Sequence, residues 1–138
     1  MADELLLDTG AFVALVDRSE TCHRDCVAVL ESWNGPLLTT EAVLTETLYL
    51  IGPSWENQRI CLEFFLRGAF VLVPSSQTSL RRVATLIEKY RDVPMDFADA
   101  TLVALGEEFD VEKIFTLDRH GFSIYRLGGR KHFHILPE

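Results

Sequence analysis

Five short apolar runs, separated by longer segments of helical periodicity, constrain the fold of this chain more than any other feature. Their interiors are almost wholly apolar rather than alternating, which is typical of strands covered on both faces. The predicted strands span residues 4–7, 36–40, 69–74, 113–117 and 133–136. Strands that alternate with helices favour an α/β fold with a mainly parallel, roughly five-stranded sheet.

The segments between these runs follow a helical period. In residues 21–33, for example, Cys22, Cys26 and Val29 fall on one face. We predict helices at 21–33, 41–51, 55–67, 78–91 and 97–109, with further short helices after the first and fourth strands. A chain of 138 residues is expected to form a single domain, residues 1–138, large enough to bury its own core.

Composition limits the class of protein. A hydrophobic content of 48% and a charged content of 25% are those of an ordinary globular protein. The start of the chain carries acids instead of a basic leader, and no apolar stretch approaches the roughly 18 residues of a membrane span. Three cysteines without a disulfide spacing pattern fit a reducing compartment. We therefore expect a cytoplasmic protein with no membrane partner.

Acidic residues stand at the ends of several predicted elements. Asp8 and Asp118 each follow an apolar strand, Asp96 and Asp99 open a helix, and Glu46 lies on an apolar helix face. Strand ends and helix starts meet at one edge of a parallel sheet, where ligands bind. Carboxylates gathered there repel by about 4 kcal/mol per pair at roughly 4 Å and an effective dielectric constant of about 20. A divalent cation would offset this repulsion, so the acids indicate a metal-dependent hydrolase.

Each acid also has a purely structural interpretation. Asp8 and Asp96 can cap helices, with Asp99 as the acid of a capping-box-like pair, and Asp118 can form a turn. Glu41 is explained by its place in the first turn of a helix. Glu46 is harder to explain structurally, because a carboxylate on an apolar face needs a partner to offset its desolvation.

Four motifs together resemble one family. They are LLDTGAFVAL at 6–15, TTEAVLTETLYL at 39–50, MDFADATLVAL at 95–105 and IFTLDR at 114–119. In order and spacing the chain is similar to PIN-domain ribonucleases of the kind found as VapC-like toxins in bacterial type II toxin–antitoxin pairs. The resemblance covers essentially the whole chain and implies a three-layer α/β/α sandwich.

The resemblance also implies roles for individual residues. The acids that would bind Mg²⁺ or Mn²⁺ and support cleavage of single-stranded RNA are Asp8, Glu46, Asp99 and Asp118. Thr9 and Thr116 match positions where the family keeps a hydroxyl near the metal, and Asp96 is an additional acid found in some similar sequences. One departure is an extra residue between Asp118 and Phe122, which weakens any role for His120 or Phe122 but leaves Asp118 in register.

The charge distribution bears on an RNA partner. The net charge of −8 argues against nucleic-acid binding, but residues 119–137 contain no acid. This basic strip, whose members are Arg119, Arg126, Arg130 and Lys131, is expected to contact RNA phosphates. The alternative is a solvated C-terminal loop and strand.

The sequence lacks residues that two other classes of aspartate-dependent protein need. A phosphotransfer enzyme would want a second Asp where Gly10 stands, and a receiver domain would want a Lys in place of the late acidic cluster. A catalytically silent PIN-like module that binds RNA or protein stays open. The family implies a small antitoxin and a homodimer. Candidate partner surfaces are the apolar helices around Trp33, Tyr49, Leu50, Trp55, Phe64 and Phe65. Most of the aromatic side chains among these residues are instead expected in the core.

Overall fold

The computed structural model describes residues 3–138 and contains the predicted alternation of strands and helices. The elements are β1 (Leu5–Leu7), α1 (Thr9–Val16), α2 (His23–Ser32), β2 (Leu37–Thr39), α3 (Glu41–Ile51), α4 (Trp55–Leu66), β3 (Phe70–Leu72), α5 (Gln77–Lys89), α6 (Phe97–Phe109), β4 (Lys113–Phe115), α7 (Arg119–Ile124), β5 (Arg126–Leu127), β6 (Lys131–His132) and β7 (His134–Leu136). Each predicted strand and helix is present, with ends that differ by at most two residues.

A five-stranded sheet in the order β3-β2-β1-β4-β7 forms the centre of the fold, and every pairing in it is parallel. The chain builds outward from β1 to β2 and β3, then returns to place β4 on the other side of β1. The strand order therefore reverses between β1 and β4, and the crevice beyond their carboxyl ends is the expected ligand position.

The core is built on β1, whose three leucines are completely buried. At the β3 edge an aromatic cluster joins three elements: the Phe70 ring lies 5.2 Å from that of Phe12 in α1 and 4.6 Å from that of Phe64 in α4. Fully buried aromatic side chains contribute most to core energetics because each removes a large apolar area from water. This cluster fixes α1, and with it the residue that precedes the helix, against the sheet.

Two features differ from the sequence predictions. The strands β5 and β6 form an antiparallel hairpin beside the main sheet, at the turn containing Gly128 and Gly129. The expectation of a core position is wrong for Tyr49 and Trp55, which are 84% and 72% exposed, and Leu50 beside them is 60% exposed. These residues lie where α3 ends and α4 begins, and the sheet does not cover this junction. Within residues 3–138, no helix is both long and apolar enough to cross a membrane.

The aromatic cluster gives a stability prediction. Phe70→Ala should lower the free energy of unfolding by about 3–5 kcal/mol, because it leaves a cavity in a site that is 2% exposed. Phe109→Ala is the control, since that ring is 44% exposed and its loss should cost less than about 1 kcal/mol. Urea denaturation measures both values. A loss below about 2 kcal/mol for Phe70→Ala would contradict the role of the cluster.

Candidate active site

The register of β1 and β4 brings Asp8 next to Thr116. Leu7 pairs with Phe115, so the next residue of each strand meets at the carboxyl edge of the sheet. The Thr116 hydroxyl donates to Asp8 Oδ2 at 2.6 Å, and the backbone N–H of Thr9 donates to Asp8 Oδ1 at 2.8 Å. Asp8 is the N-cap of α1, as its structural interpretation predicted, and is only 6% exposed.

Asp99 enters the same region from the first turn of α6. It is 9% exposed, and its Oδ2 accepts a hydrogen bond of 3.1 Å from the hydroxyl of Tyr125. Asp96, the N-cap of α6, accepts from the backbone N–H of Asp99 at 2.8 Å. The predicted cap is therefore confirmed, and Asp96 lies exposed on the solvent side of Asp99.

Glu46 reaches the site from the middle of α3. Its Oε1 accepts a hydrogen bond of 2.7 Å from the Thr9 hydroxyl. Thr9 therefore touches Glu46 through its side chain and Asp8 through its backbone. Glu46 is half-buried, and this hydroxyl is the partner that its position on an apolar helix face requires.

Asp118 caps α7 on the other side of Asp8. Its Oδ1 accepts from the backbone N–H of Gly121 at 3.0 Å, and its own N–H donates to the Thr116 hydroxyl oxygen at 3.0 Å. The Thr116 hydroxyl thus contacts Asp118 and Asp8 at once. The structure therefore brings the four predicted acids and both predicted hydroxyls to one edge of the sheet.

Burial dominates the electrostatics of the two innermost acids. Desolvation raises the pKa of Asp8 to about 6, against the lowering effect of hydrogen bonds from Thr116 and Thr9. Desolvation also raises the pKa of Asp99, and the negative charge of Asp8 and then that of Asp96 raise it further. Among residues 3–138, no Lys or Arg forms an ion pair with either acid. Both carboxylates are therefore buried without a compensating positive charge from the described chain.

The donor set fits a hard divalent cation. Carboxylate and hydroxyl oxygens are the ligands that Mg²⁺ and Mn²⁺ prefer, and no His or Cys is required. In the described part of the chain, no three His, Cys, Asp or Glu side chains are grouped closely enough to form a ready-made cage. The acids instead hydrogen-bond to Thr9, Thr116 and Tyr125.

The predicted basic strip is divided by the fold. Arg119 begins α7 directly after Asp118, and its Nη1 donates to the carbonyl of Pro137 at 2.8 Å. Arg126 Nη1 donates to three nearby carbonyls. Arg130 and Lys131 belong to the β5–β6 hairpin, where Lys131 Nζ lies 3.6 Å from the carboxylate of Asp110.

The turn of that hairpin lies at the other end of α6 from Asp99. Asp110 follows the last residue of α6, whereas Asp99 is in its first turn, and a helical rise of 1.5 Å per residue separates them by about 16 Å. Arg130 and Lys131 therefore lie at the far end of α6 from Asp99, and their contact with RNA phosphates stays a prediction.

Tyr125 is a residue of the site that no sequence motif identified. A buried tyrosine hydroxyl needs a hydrogen-bond partner, but nothing local identifies that partner. Here it is Asp99, 26 residues earlier in the chain. The buried hydroxyl pair of Thr40 and Thr101, 2.9 Å apart, was also missed; it joins the start of α3 to α6.

The fold and the site together define a class of protein. This is an open parallel α/β sheet with buried carboxylates at the point where its strand order reverses. The family model of the PIN domain matches residues 5–127, so the chain belongs to the PIN domain family. The resemblance seen in the sequence is confirmed.

Individual relatives agree with this assignment. The chain is 27% identical over 135 residues to Ribonuclease VapC26 of Mycobacterium tuberculosis, covering 96% of this chain and 100% of that protein. The solved structure of VapC20 from Mycobacterium tuberculosis, described as a sarcin-ricin loop cleaving toxin, has a TM-score of 0.78 at 14% identity, covering 88% of this chain and 95% of that one. A toxin–antitoxin complex from Klebsiella pneumoniae has a TM-score of 0.64 at 21% identity, covering 87% and 92%. These structures share the fold, and the predicted PIN-like α/β/α sandwich is confirmed.

The buried charge of Asp99 gives a prediction about stability and pH. The pKa of Asp99 is higher in the folded state than in the unfolded state, where 3.8 is usual. Such a carboxyl contributes stability that is fully present at pH values below the unfolded-state pKa. This stabilisation is lost as the pH rises through the folded-state pKa. We therefore expect Asp99→Asn to raise the melting temperature in EDTA at pH 8 by at least about 3 °C, roughly 1 kcal/mol, and by less at pH 5.

Asp110→Asn is the matched control for this prediction. It removes the same charge at the exposed far end of α6, at a residue with a φ of 56° that asparagine tolerates. Its melting temperature should follow that of the unaltered chain at both pH values. A gain for Asp99→Asn that is equal at pH 5 and pH 8 would contradict the electrostatic origin of the effect.

Proposed function

We propose that this chain is a Mg²⁺- or Mn²⁺-dependent endoribonuclease that cleaves single-stranded RNA and acts as the toxin of a toxin–antitoxin pair. The observation that carries the proposal is the pair of buried carboxylates, Asp8 and Asp99, at the reversal of strand order. Membership of the PIN domain family and the similarity to Ribonuclease VapC26 support the choice of RNA as substrate.

The acids divide into two groups in this proposal. Asp8 and Asp99 hold the principal ion, while Glu46 and Asp118, which are less buried, position the attacking water or a second ion. A bound ion would lower the pKa of that water and neutralise charge that develops on the phosphate. Asp96 adds negative charge at the rim of the site.

The hydroxyls and the nearest arginine have separate tasks. Thr9 and Thr116 orient the carboxylates of Glu46 and Asp8 through hydrogen bonds of 2.7 and 2.6 Å. Arg119, which is exposed and directly follows Asp118, would contact a phosphate beside the scissile bond. Arg130 and Lys131 would contact only more distant parts of an RNA chain, because the turn of the hairpin lies at the other end of α6. Arg126 directly follows Tyr125, whose hydroxyl contacts Asp99, and would contact a phosphate nearer the acids.

A catalytically silent module that binds RNA or protein is the second candidate. The observation in its favour is that, among residues 3–138, the acids form no ready-made group of three. Such a module would bind RNA without cutting it and would take up neither Mg²⁺ nor Mn²⁺ in calorimetry.

Substitution of the buried acids tests the nuclease proposal. Asp8→Asn and Asp99→Asn should each reduce metal-dependent cleavage of single-stranded RNA at least about 100-fold with the fold retained, because each removes a charged ligand. EDTA should abolish cleavage by the unaltered chain, and Mn²⁺ should restore it. Mapping of cleaved RNA ends measures the effect, with Asp110→Asn as the control. Full activity in either site variant would show that the acids are wrongly assigned.

We also propose three features of the protein in the cell: a homodimer, a small antitoxin partner and a cytoplasmic location. The toxin–antitoxin complex from Klebsiella pneumoniae supports the antitoxin.

Tyr49 and Leu50 lie one helical turn beyond Glu46 on the same face of α3 and are 84% and 60% exposed. An antitoxin segment that fills the groove near the acids would cover both side chains. A monomer in light scattering would contradict the homodimer.

The exposed end of α3 gives a prediction about the partner. Leu50→Ser should weaken binding of the product of a short neighbouring open reading frame at least about tenfold, because it removes an apolar contact, and should leave RNA cleavage unchanged. Leu66→Ser, at a side chain that is 73% exposed at the end of α4, is the control. Calorimetric titration of the two proteins measures the affinities. Equal affinities for the two variants would exclude this face of α3 as the contact.

A further inference from the structure

We propose that Tyr125 is a positioning residue that orients the Asp99 carboxylate for metal binding. The inference rests on the proposed metal site. It adds to that site a residue that is not a metal ligand but contacts one. Within the described chain, the Tyr125 hydroxyl is the one side-chain donor to the Asp99 carboxylate, at 3.1 Å. Residues that hydrogen-bond to a metal ligand set its orientation and affect metal affinity strongly.

The Tyr125 side chain is held rigidly. It is 1% exposed, and its ring makes edge-to-face contacts with Tyr90 and Phe122, each with ring centroids 5.1 Å apart. An aromatic ring packed on two sides has little freedom to move, so its hydroxyl is a donor of defined position. The carboxylate of Asp99 must therefore turn its Oδ2 toward that donor, which leaves Oδ1 directed elsewhere.

The helix α7 links this contact to a second acid. Asp118 caps the start of α7, and Tyr125 caps its end. Between them, a Cβ added at Gly121 would lie 2.6 Å from Asp118 Oδ2 and 3.1 Å from the Tyr125 hydroxyl. The absent side chain at Gly121 is thus what allows both polar groups to approach. One short helix sets the positions of Asp118 directly and of Asp99 through Tyr125.

A neighbouring tyrosine provides a matched comparison. Tyr90 is also buried, packs against Tyr125 and uses its hydroxyl in a hydrogen bond, which it accepts from the backbone N–H of Arg126 at 3.0 Å. Tyr90→Phe and Tyr125→Phe each remove one buried hydroxyl from the same aromatic group. Only the hydroxyl of Tyr125 contacts an acid of the site. A purely structural role therefore predicts similar behaviour for the two variants, and a positioning role predicts different metal binding.

The test is calorimetric titration of the full chain and its variants with Mn²⁺, together with thermal melting in EDTA. We expect Tyr125→Phe to weaken Mn²⁺ binding about tenfold or more, with Tyr90→Phe within about twofold of the unaltered chain. Both variants should melt within about 3 °C of each other. RNA cleavage by Tyr125→Phe should be reduced at low Mn²⁺ and recover at saturating Mn²⁺. Unchanged Mn²⁺ affinity in Tyr125→Phe, or equal losses in both variants, would overturn the inference.

Comparison of the unaltered chain with Asp99→Asn distinguishes failure of this inference from failure of the proposed function. If the unaltered chain takes up no Mn²⁺, the proposed metal-dependent function fails and this inference fails with it. The inference alone fails if three results occur together: the unaltered chain binds Mn²⁺, Asp99→Asn does not bind it, and Tyr125→Phe binds it as tightly as the unaltered chain. Gly121→Ala, which places a methyl group against Asp118 and the Tyr125 hydroxyl, should also weaken Mn²⁺ binding. Unchanged binding in Gly121→Ala would contradict the role assigned to α7.

Discussion

The parallel pairing of β1 with β4 is the constraint on which the rest of the structure depends. It sets Asp8 beside Thr116 at the carboxyl edge of the sheet, and the Thr116 hydroxyl in turn contacts the start of α7 at Asp118. Because the strand order reverses at this pair, the helices on either side diverge and leave a crevice that α3 and α6 can reach. The register pairs Leu6 with Ile114 and Leu7 with Phe115, and all four side chains are completely buried. A one-residue slip between the two strands would remove Asp8 from its hydroxyl partner.

The structural and functional interpretations of the acids turn out to be compatible. Asp8, Asp96 and Asp118 all cap helices, so each carboxylate accepts a hydrogen bond from a backbone N–H and benefits from the helix dipole. That benefit is about 0.3–1 kcal/mol for an exposed group. It does not offset the burial of Asp8, whose pKa is raised in spite of hydrogen bonds from Thr9 and Thr116. Capping therefore explains why acids occur at helix starts. It does not explain why Asp8 and Asp99 are both buried, so close together that the charge of Asp8 raises the pKa of Asp99.

Much of the fold was predictable because its signals are local. Continuous apolar runs identified the strands, and the helix predicted at 41–51 has the ends that α3 shows. The four acids could be named because each belongs to a recognisable motif: three stand near an element boundary, and Glu46 lies on an apolar helix face. The β5–β6 hairpin was missed because two-residue strands carry no periodicity. Exposure of Tyr49 and Trp55 was missed because periodicity assigns an apolar face to a helix, but whether another element covers that face depends on the tertiary arrangement.

The sequence by itself determined the elements, their order and the positions of the acids along them, because strand and helix formation depend on neighbouring residues and their spacing. The tertiary structure decided which side chains meet. It joined Tyr125 to Asp99 and Thr9 to Glu46, and it carried Arg130 and Lys131 to the far end of α6, away from the acids that a linear basic strip was expected to border. The physical reason is that a hydrogen bond requires its donor and acceptor to lie about 3 Å apart in space. Residues 26 or 37 positions apart come within that range only after the sheet and its helices have packed.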